Sequence, residues 1–305
     1  MNDDYLWDRS GTPDPEIAHL EQALAPLRWS RTNKRCGHLL AIAALILLAA
    51  GVSFLWSRKM VATPWQLVAN DRPQHIRTGQ WIETPPHRAA VVRSDAIGTL
   101  EIEPGSRLQL LDSGKDKQRF SLARGTIHAL IWAPPATFVV DTPAAKTVDL
   151  GCEYTLHVDN DGTGLITVEM GWVAFAWQSV ESFIPAGASC TTRPGHGPGT
   201  PFFNDASPAF KTALAQFDND HSAESLQSLL AAARSRDAMS LWHLLQRTSG
   251  EDRAQAFSRY AQLVALPPVA TRDAILRGDP KALDAAWNAL DLGDTAWWRE
   301  WKRSW

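Results

Sequence analysis

The stretch Thr99–Gly125, TLEIEPGSRLQLLDSGKDKQRFSLARG, alternates apolar and polar residues in short runs. Leu100-Glu101-Ile102-Glu103, Arg107-Leu108-Gln109-Leu110 and Arg119-Phe120-Ser121-Leu122 are separated by Pro104-Gly105, Ser113-Gly114 and Arg124-Gly125. Side chains of a strand point to opposite faces in turn, so a period of two broken by turn residues predicts short antiparallel strands with one buried face. The same texture runs from Trp81 to about Asp205, with further strands expected at Phe138 to Asp141, Glu153 to Val158, Leu165 to Met170 and Trp172 to Trp177. The reading is an all-β region, built as a sandwich, a roll or a short solenoid.

Beyond Asp205 the composition shifts to helix formers rich in Ala, Leu and Gln. Ser207-Pro208 starts a helix through Phe217, and others follow at 223–233, 238–246, 253–265, 272–276, 280–290 and 295–302. Antiparallel helix pairs are the natural packing, giving an all-α helical-hairpin region after the β region. The last helix carries Trp297, Trp298, Trp301 and Trp305, read first as packing onto that region and second as a membrane or partner contact.

On the N-terminal side, Val61 to Gly79 reads as a tether with one short strand around Gln66 to Val68. Before it, Leu39–Trp56, LLAIAALILLAAGVSFLW, is a run of about eighteen residues without a charge, long enough to cross a hydrocarbon core about 30 Å thick. We read it as one membrane-spanning helix, with a buried core helix and a cleaved signal peptide as alternatives. Arg28, Arg31, Lys34 and Arg35 precede the run and only Arg58 and Lys59 follow closely, which orients the N-terminus inward. The expected organisation is a head (1–36), a span (37–57), a tether (58–80), a β domain (81–205) and a helical domain (206–305). In the head, Pro13 and Pro15 open an amphipathic helix bearing Ile17, Leu20, Leu24 and Leu27, too short to stand alone and suited to docking a protein partner.

Net charge is −3 over 305 residues and the bases are scattered, which excludes an electrostatic footprint for nucleic acid. Cys36 lies at the inner edge of the apolar run, while Cys152 and Cys190 lie beyond it. In an oxidising compartment that pair can form a disulfide worth about 4 kcal/mol on a chain-entropy argument, and two separate buried thiols are the alternative.

No stretch assembles catalytic or cofactor chemistry, and no cofactor or metal is expected. Asp159 to Gly164 has acids at calcium-loop spacing but Met170 at the twelfth position, so it reads as a hairpin turn. Gly195 to Thr200 lacks the Lys of a phosphate loop and reads as a linker between the two outer regions. Gly187-Ala188-Ser189-Cys190 has Thr191 where a nucleophile elbow needs Gly. His128 and His157 read as exposed strand positions.

Read together, PGSRLQLL (104–111), FSLARGTIHALI (120–131), TFVVDTPAAKTVDLGCEYTLHV (137–158), GLITVEMGWVAF (164–175) and IPAG (184–187) resemble in order the pattern of the FecR-like domain family. That pattern has a Ser-Arg turn, a strand into Arg-Gly, Phe-Val-Val-x-Thr-Pro, a Leu-Gly strand, a Gly-Φ-Val strand and a closing Ala-Gly. Cys152 stands where the family commonly has Thr, which with Cys190 suggests a stapled subgroup. The resemblance implies an inner-membrane sensor, N-terminus cytoplasmic and C-terminal domains periplasmic. It would sense the state of a periplasmic or outer-membrane protein and relay it to an ECF-type sigma factor. Leu6, Trp7, Ile17, Leu20 and Leu24 are then the candidate partner-binding residues of the head. A non-signalling envelope module, anchored in the lipid bilayer and binding cell-wall glycan or a periplasmic protein, is the alternative.

Overall fold

The computed structural model describes residues 15–25, 65–69, 72–114, 116–178 and 180–293. The chain divides into two compact units, Met1–Val61 and Ala62–Trp305. In the first, helix α1 (Pro15–Leu24) opens on a proline, whose missing N–H is harmless in a first turn, and carries Glu16 there. Its Leu20 and Leu24 side chains are 60% and 55% exposed.

The second unit begins with β1 (Gln66–Ala69), β2 (Arg72–His75), β3 (Trp81–Glu83), β4 (Ala90–Ser94), β5 (Gly98–Ile102), β6 (Arg107–Ser113) and β7 (Gln118–Ile131). It continues through β8 (Phe138–Asp141), β9 (Lys146–Asp149), β10 (Glu153–Val158), β11 (Gly164–Met170), β12 (Trp172–Trp177) and β13 (Val180–Pro185). Strands β14 (Ala188–Arg193), β15 (Gly197–Pro198) and β16 (Phe202–Phe203) complete it. The main path of the sheet runs β13-β12-β9-β8-β7-β10-β11-β14-β15.

Strand β7 organises this sheet. Its first half pairs antiparallel with β6 and parallel with β8, and its second half pairs antiparallel with β5 and β10. Arg124-Gly125, expected to end a strand, instead lies inside these 14 residues. Buried positions are Gln118, Phe120 and Leu122 before the bend but Ile127, Ala129 and Ile131 after it, so the alternation slips by one residue. A one-residue slip would normally turn the apolar face outward, and a bulge at the bend restores it. The ladder with β6 shifts register between Arg107 and Leu108, where Arg107 faces Arg124. Gly125 has φ +91°, and a Cβ there would collide with Ser106, whose hydroxyl accepts from the Thr126 N–H at 2.9 Å. Backbone partners therefore continue through the bend, which is why the glycine kinks the strand rather than ending it.

Val61–Gly79, read as a tether, contributes the β1–β2 hairpin, and β1 also pairs with β4. Trp65 is fully buried, edge-on to Phe120 with centroids 5.0 Å apart, and its indole N–H donates to Gln118 Oε1 at 2.8 Å.

The C-terminal part carries α2 (Pro208–Asp220), α3 (Ala223–Ala232), α4 (Ala238–Arg247), α5 (Gly250–Leu263), α6 (Arg272–Leu276) and α7 (Pro280–Asn288). Ser207, Ser222, Thr271 and Asp279 cap α2, α3, α6 and α7 by accepting from first-turn N–H groups. In α4 every residue from Ala238 to Leu245 is buried. A helix enclosed all round sits inside a core, not on a surface.

The expected architecture is corrected on these points. It was a single-pass membrane protein with an all-β domain of short antiparallel strands followed by an all-α domain. Among the described residues no helix is long and apolar enough to cross a membrane, and Leu39–Trp56 lies outside them. The observed fold is mostly β-sheet with helices at the C-terminal end, and it contains a long bent strand and a parallel pair. Strands and helices share one hydrophobic cluster that runs from Trp65 to Trp287. The reason is at β13, which among the described strands ladders with β12 alone, so its other edge takes partners from elsewhere in the fold. Helix α4 covers it, and Trp287 of α7 seals the joint against Trp242, Trp172 and Phe183 with centroids 4.5, 5.9 and 6.4 Å away.

Candidate functional site

Where α4 meets the sheet, two of its side chains act as backbone partners for β13. The Phe183 N–H donates to His243 Nε2 at 3.1 Å, while His243 Nδ1 lies 2.9 Å from the Met239 carbonyl. One nitrogen must accept and the other must donate, so the imidazole is the neutral Nδ1–H tautomer. Burial first, and the nearby Arg247 charge second, depress its pKa to about 3.

One turn on, Arg247 donates from one guanidinium nitrogen to Thr200 Oγ1 at 3.2 Å, and from the other to the Glu181 carbonyl at 3.2 Å and Ser182 Oγ at 2.5 Å. The Thr200 hydroxyl donates in turn to Asp218 Oδ1, and the Thr200 N–H to Asp218 Oδ2, both at 2.7 Å. Burial lowers the Arg247 pKa, an effect the Asp218 carboxylate partly offsets. Arg193 ties Asp218 and Asn219 from the other side, donating to the Asp218 carbonyl and to Asn219 Oδ1, each at 2.5 Å.

Arg247, Glu181, Asp218, Asn219 and Arg193 line a groove of about 1120 Å³ between the β13–β15 corner of the sheet, α2 and the end of α4. The loop Gly195 to Thr200, expected as a linker, forms one wall, and its Gly197 and Pro198 are buried as β15. Gly197 adopts φ +77°, and a Cβ there would come within 2.6 Å of the Trp177 ring. The glycines that resemble a phosphate loop thus serve a close approach of backbone to an aromatic ring.

A second polar cluster surrounds Asp149 at the end of β9. The Gly151 N–H donates to Oδ1 at 2.7 Å and the Cys152 thiol to Oδ2 at 2.5 Å. Burial dominates these favourable contacts and raises the Asp149 pKa to about 7. Cys152 is likewise pushed well up, by burial and then by Asp149.

Both Cys152 and Cys190 are free and buried, so the expected disulfide is corrected. Cys190 faces Ile166 across β14–β11, whereas Glu153, next to Cys152, faces Met170. Four residues along β11 separate these levels by about 13 Å, beyond the roughly 7 Å between Cα atoms that a disulfide can span. The Cys190 thiol points instead to the Gly199 carbonyl at 3.2 Å, and burial raises its pKa to about 12.

Of the head residues, Leu6 and Trp7 lie outside the described residues, as does the tryptophan tail from 297 onward. Ile17, Leu20 and Leu24 fall in α1. His128 and His157 sit on neighbouring strands of the solvent face, His128 Nε2 being 2.7 Å from Glu103 Oε1 and His157 Nε2 3.1 Å from Asp159 Oδ1. Asp159 to Thr163 closes the β10–β11 hairpin. Arg247, His243, Asp218 and Asp149 were missed in the sequence. Their only local signal is a polar residue inside an apolar run, as in Ala238–Arg247, AMSLWHLLQR.

No protein-family model matches the chain, and no curated protein matches it. Two solved structures of a candidate anti-sigma factor from Parabacteroides distasonis are similar to part of it, each at 14% identity and a TM-score of 0.36. The matches cover 45% of this chain and 65% and 64% of those chains, so just under two thirds of their length is spanned.

Proposed function

We propose that the protein is a FecR-like sensor that regulates an ECF-type sigma factor, the head contacting the sigma factor and the second unit receiving the signal. The observation that carries this is the ordered motif set. Its pieces fall on β6, β7, β8 to β10, β11 and β12, and the β13–β14 turn, which are successive parts of one sheet. In α1 the exposed Leu20 and Leu24 support a protein contact on the head. Placement at an inner membrane, with residues 1–36 cytoplasmic and the second unit periplasmic, belongs to the same proposal and rests on the sequence alone. So does the reading of the chain as non-enzymatic. Affinity capture with residues 1–36 is expected to retain a sigma factor, and deletion of the protein to change that factor's transcripts. No sigma factor captured and no transcript changed would sink the reading. The groove favours a second reading, an envelope binding module that does not signal; ligand binding with no transcriptional response would select it.

A further inference from the structure

We infer that the groove at the α4–β13 joint is a binding site for an acidic peptide segment, with a carboxylate seated on Arg247. A guanidinium has five N–H donors, and the contacts to Thr200, Glu181 and Ser182 use three. All three acceptors are neutral oxygens, so the cation is held in place without a directly bonded carboxylate. The two remaining donors, on Nε and on the nitrogen that holds Thr200, lie on different sides of the guanidinium, so each can give a carboxylate oxygen a single charge-assisted hydrogen bond.

The surroundings agree in charge. Arg193, Lys211 and Arg247 line the groove against Glu181 and Asp218, in a chain whose net charge is −3. Asp218 is occupied by Thr200, which leaves its carboxylate turned to the wall. Size and lining select the ligand class. About 1120 Å³ is far more than a single small anion needs. The amides of Gln216 and Gln246 can both donate to and accept from a peptide backbone. Among the described residues no Trp or Tyr ring lines the groove to stack a sugar, and the phenyl ring of Phe217 is buried against His221. The inference concerns ligand binding and does not depend on what the head contacts.

The test is fluorescence anisotropy of the full-length protein with a labelled Glu-rich hexapeptide and its Gln counterpart. The acidic peptide is expected to bind at least about tenfold more tightly. Arg247→Gln and Lys211→Glu should each weaken that binding by about tenfold or more. Lys211→Glu changes a partly exposed side chain and keeps the test informative if Arg247→Gln unfolds the joint. Equal affinity for the Gln peptide, or unchanged binding in Lys211→Glu, would overturn the inference. Tighter binding of an oligoglucuronate, which carries the same carboxylates on a sugar, would overturn the peptide assignment.

Discussion

At the residue scale two buried titratable groups oppose each other. His243 has a pKa lowered from 6.5 to about 3, so between those values the unfolded chain binds the extra proton. Its contribution is complete above pH 6.5 and is lost as pH falls towards 3, at about 1.4 kcal/mol per pH unit. Asp149 is raised from 3.8 to about 7, so in that window the folded chain binds the extra proton. Its contribution is complete below pH 3.8 and is lost as pH rises through 7, with the opposite slope of similar size. The two nearly cancel between about pH 4 and 6.5. Asp149→Asn should therefore expose a stability that climbs with pH up to about 6.5, and His243→Gln one that declines from about 4 to 7. Urea unfolding midpoints across that range check both, and parallel profiles for the two variants would contradict the assignments. The thiols make a second prediction, because thiolate is the reactive form and burial suppresses it. Cys152 and Cys190 should alkylate slowly in the folded protein and quickly in urea, and reductant should leave the melting temperature unchanged; mass mapping reads out the sites.

At the scale of elements, β7 shows how a local signal can be read correctly as a special backbone position and wrongly as an end. Alternation on both sides of Gly125 was visible, and so was the glycine. The slip in phase between Leu122 and Ile127 emerges from the burial of β7, and it is tolerated because β6, β8, β5 and β10 supply partners on both sides of the bend. Gly125→Ala adds a left-handed φ penalty of about 1–2 kcal/mol to a collision with Ser106. A loss of about 2 kcal/mol or more is expected in denaturant unfolding. A loss under about 0.5 kcal/mol would show that the strand relaxes around the methyl group.

On the scale of the whole molecule, the sheet and the C-terminal helices are expected to unfold together, because one aromatic joint belongs to both. Trp287 is 1% exposed and touches Trp172 and Phe183 of the sheet as well as Trp242 of α4. Trp287→Ala should cost about 3–5 kcal/mol and shift circular dichroism signals of strand and helix by the same amount. Two separated transitions, with only the helical one shifted, would show that the two parts are independent.

Much of this architecture was legible in sequence because it is local. Period-two alternation marked β5, β6, β10 and β11, and Ser207 before Pro208 marked the start of α2, since strand pleat and helix caps act over a few neighbouring residues. The candidate groove was not legible. Arg247, Thr200, Ser182 and Asp218 are distant in sequence, and nothing near any of them signals a partner. The pairing of Cys152 with Cys190 failed for the same reason, since strand register, not spacing, sets how far apart two residues lie. The sequence by itself determined many of the strands and most of the C-terminal helices, through periodicity and caps. Only the tertiary structure decided that one edge of β13 is left to partners outside the ladder, that α4 closes it with His243 and Arg247, and that a cationic groove results. An unpaired backbone edge must be satisfied by whatever the fold brings beside it, and that is a property of the assembled molecule.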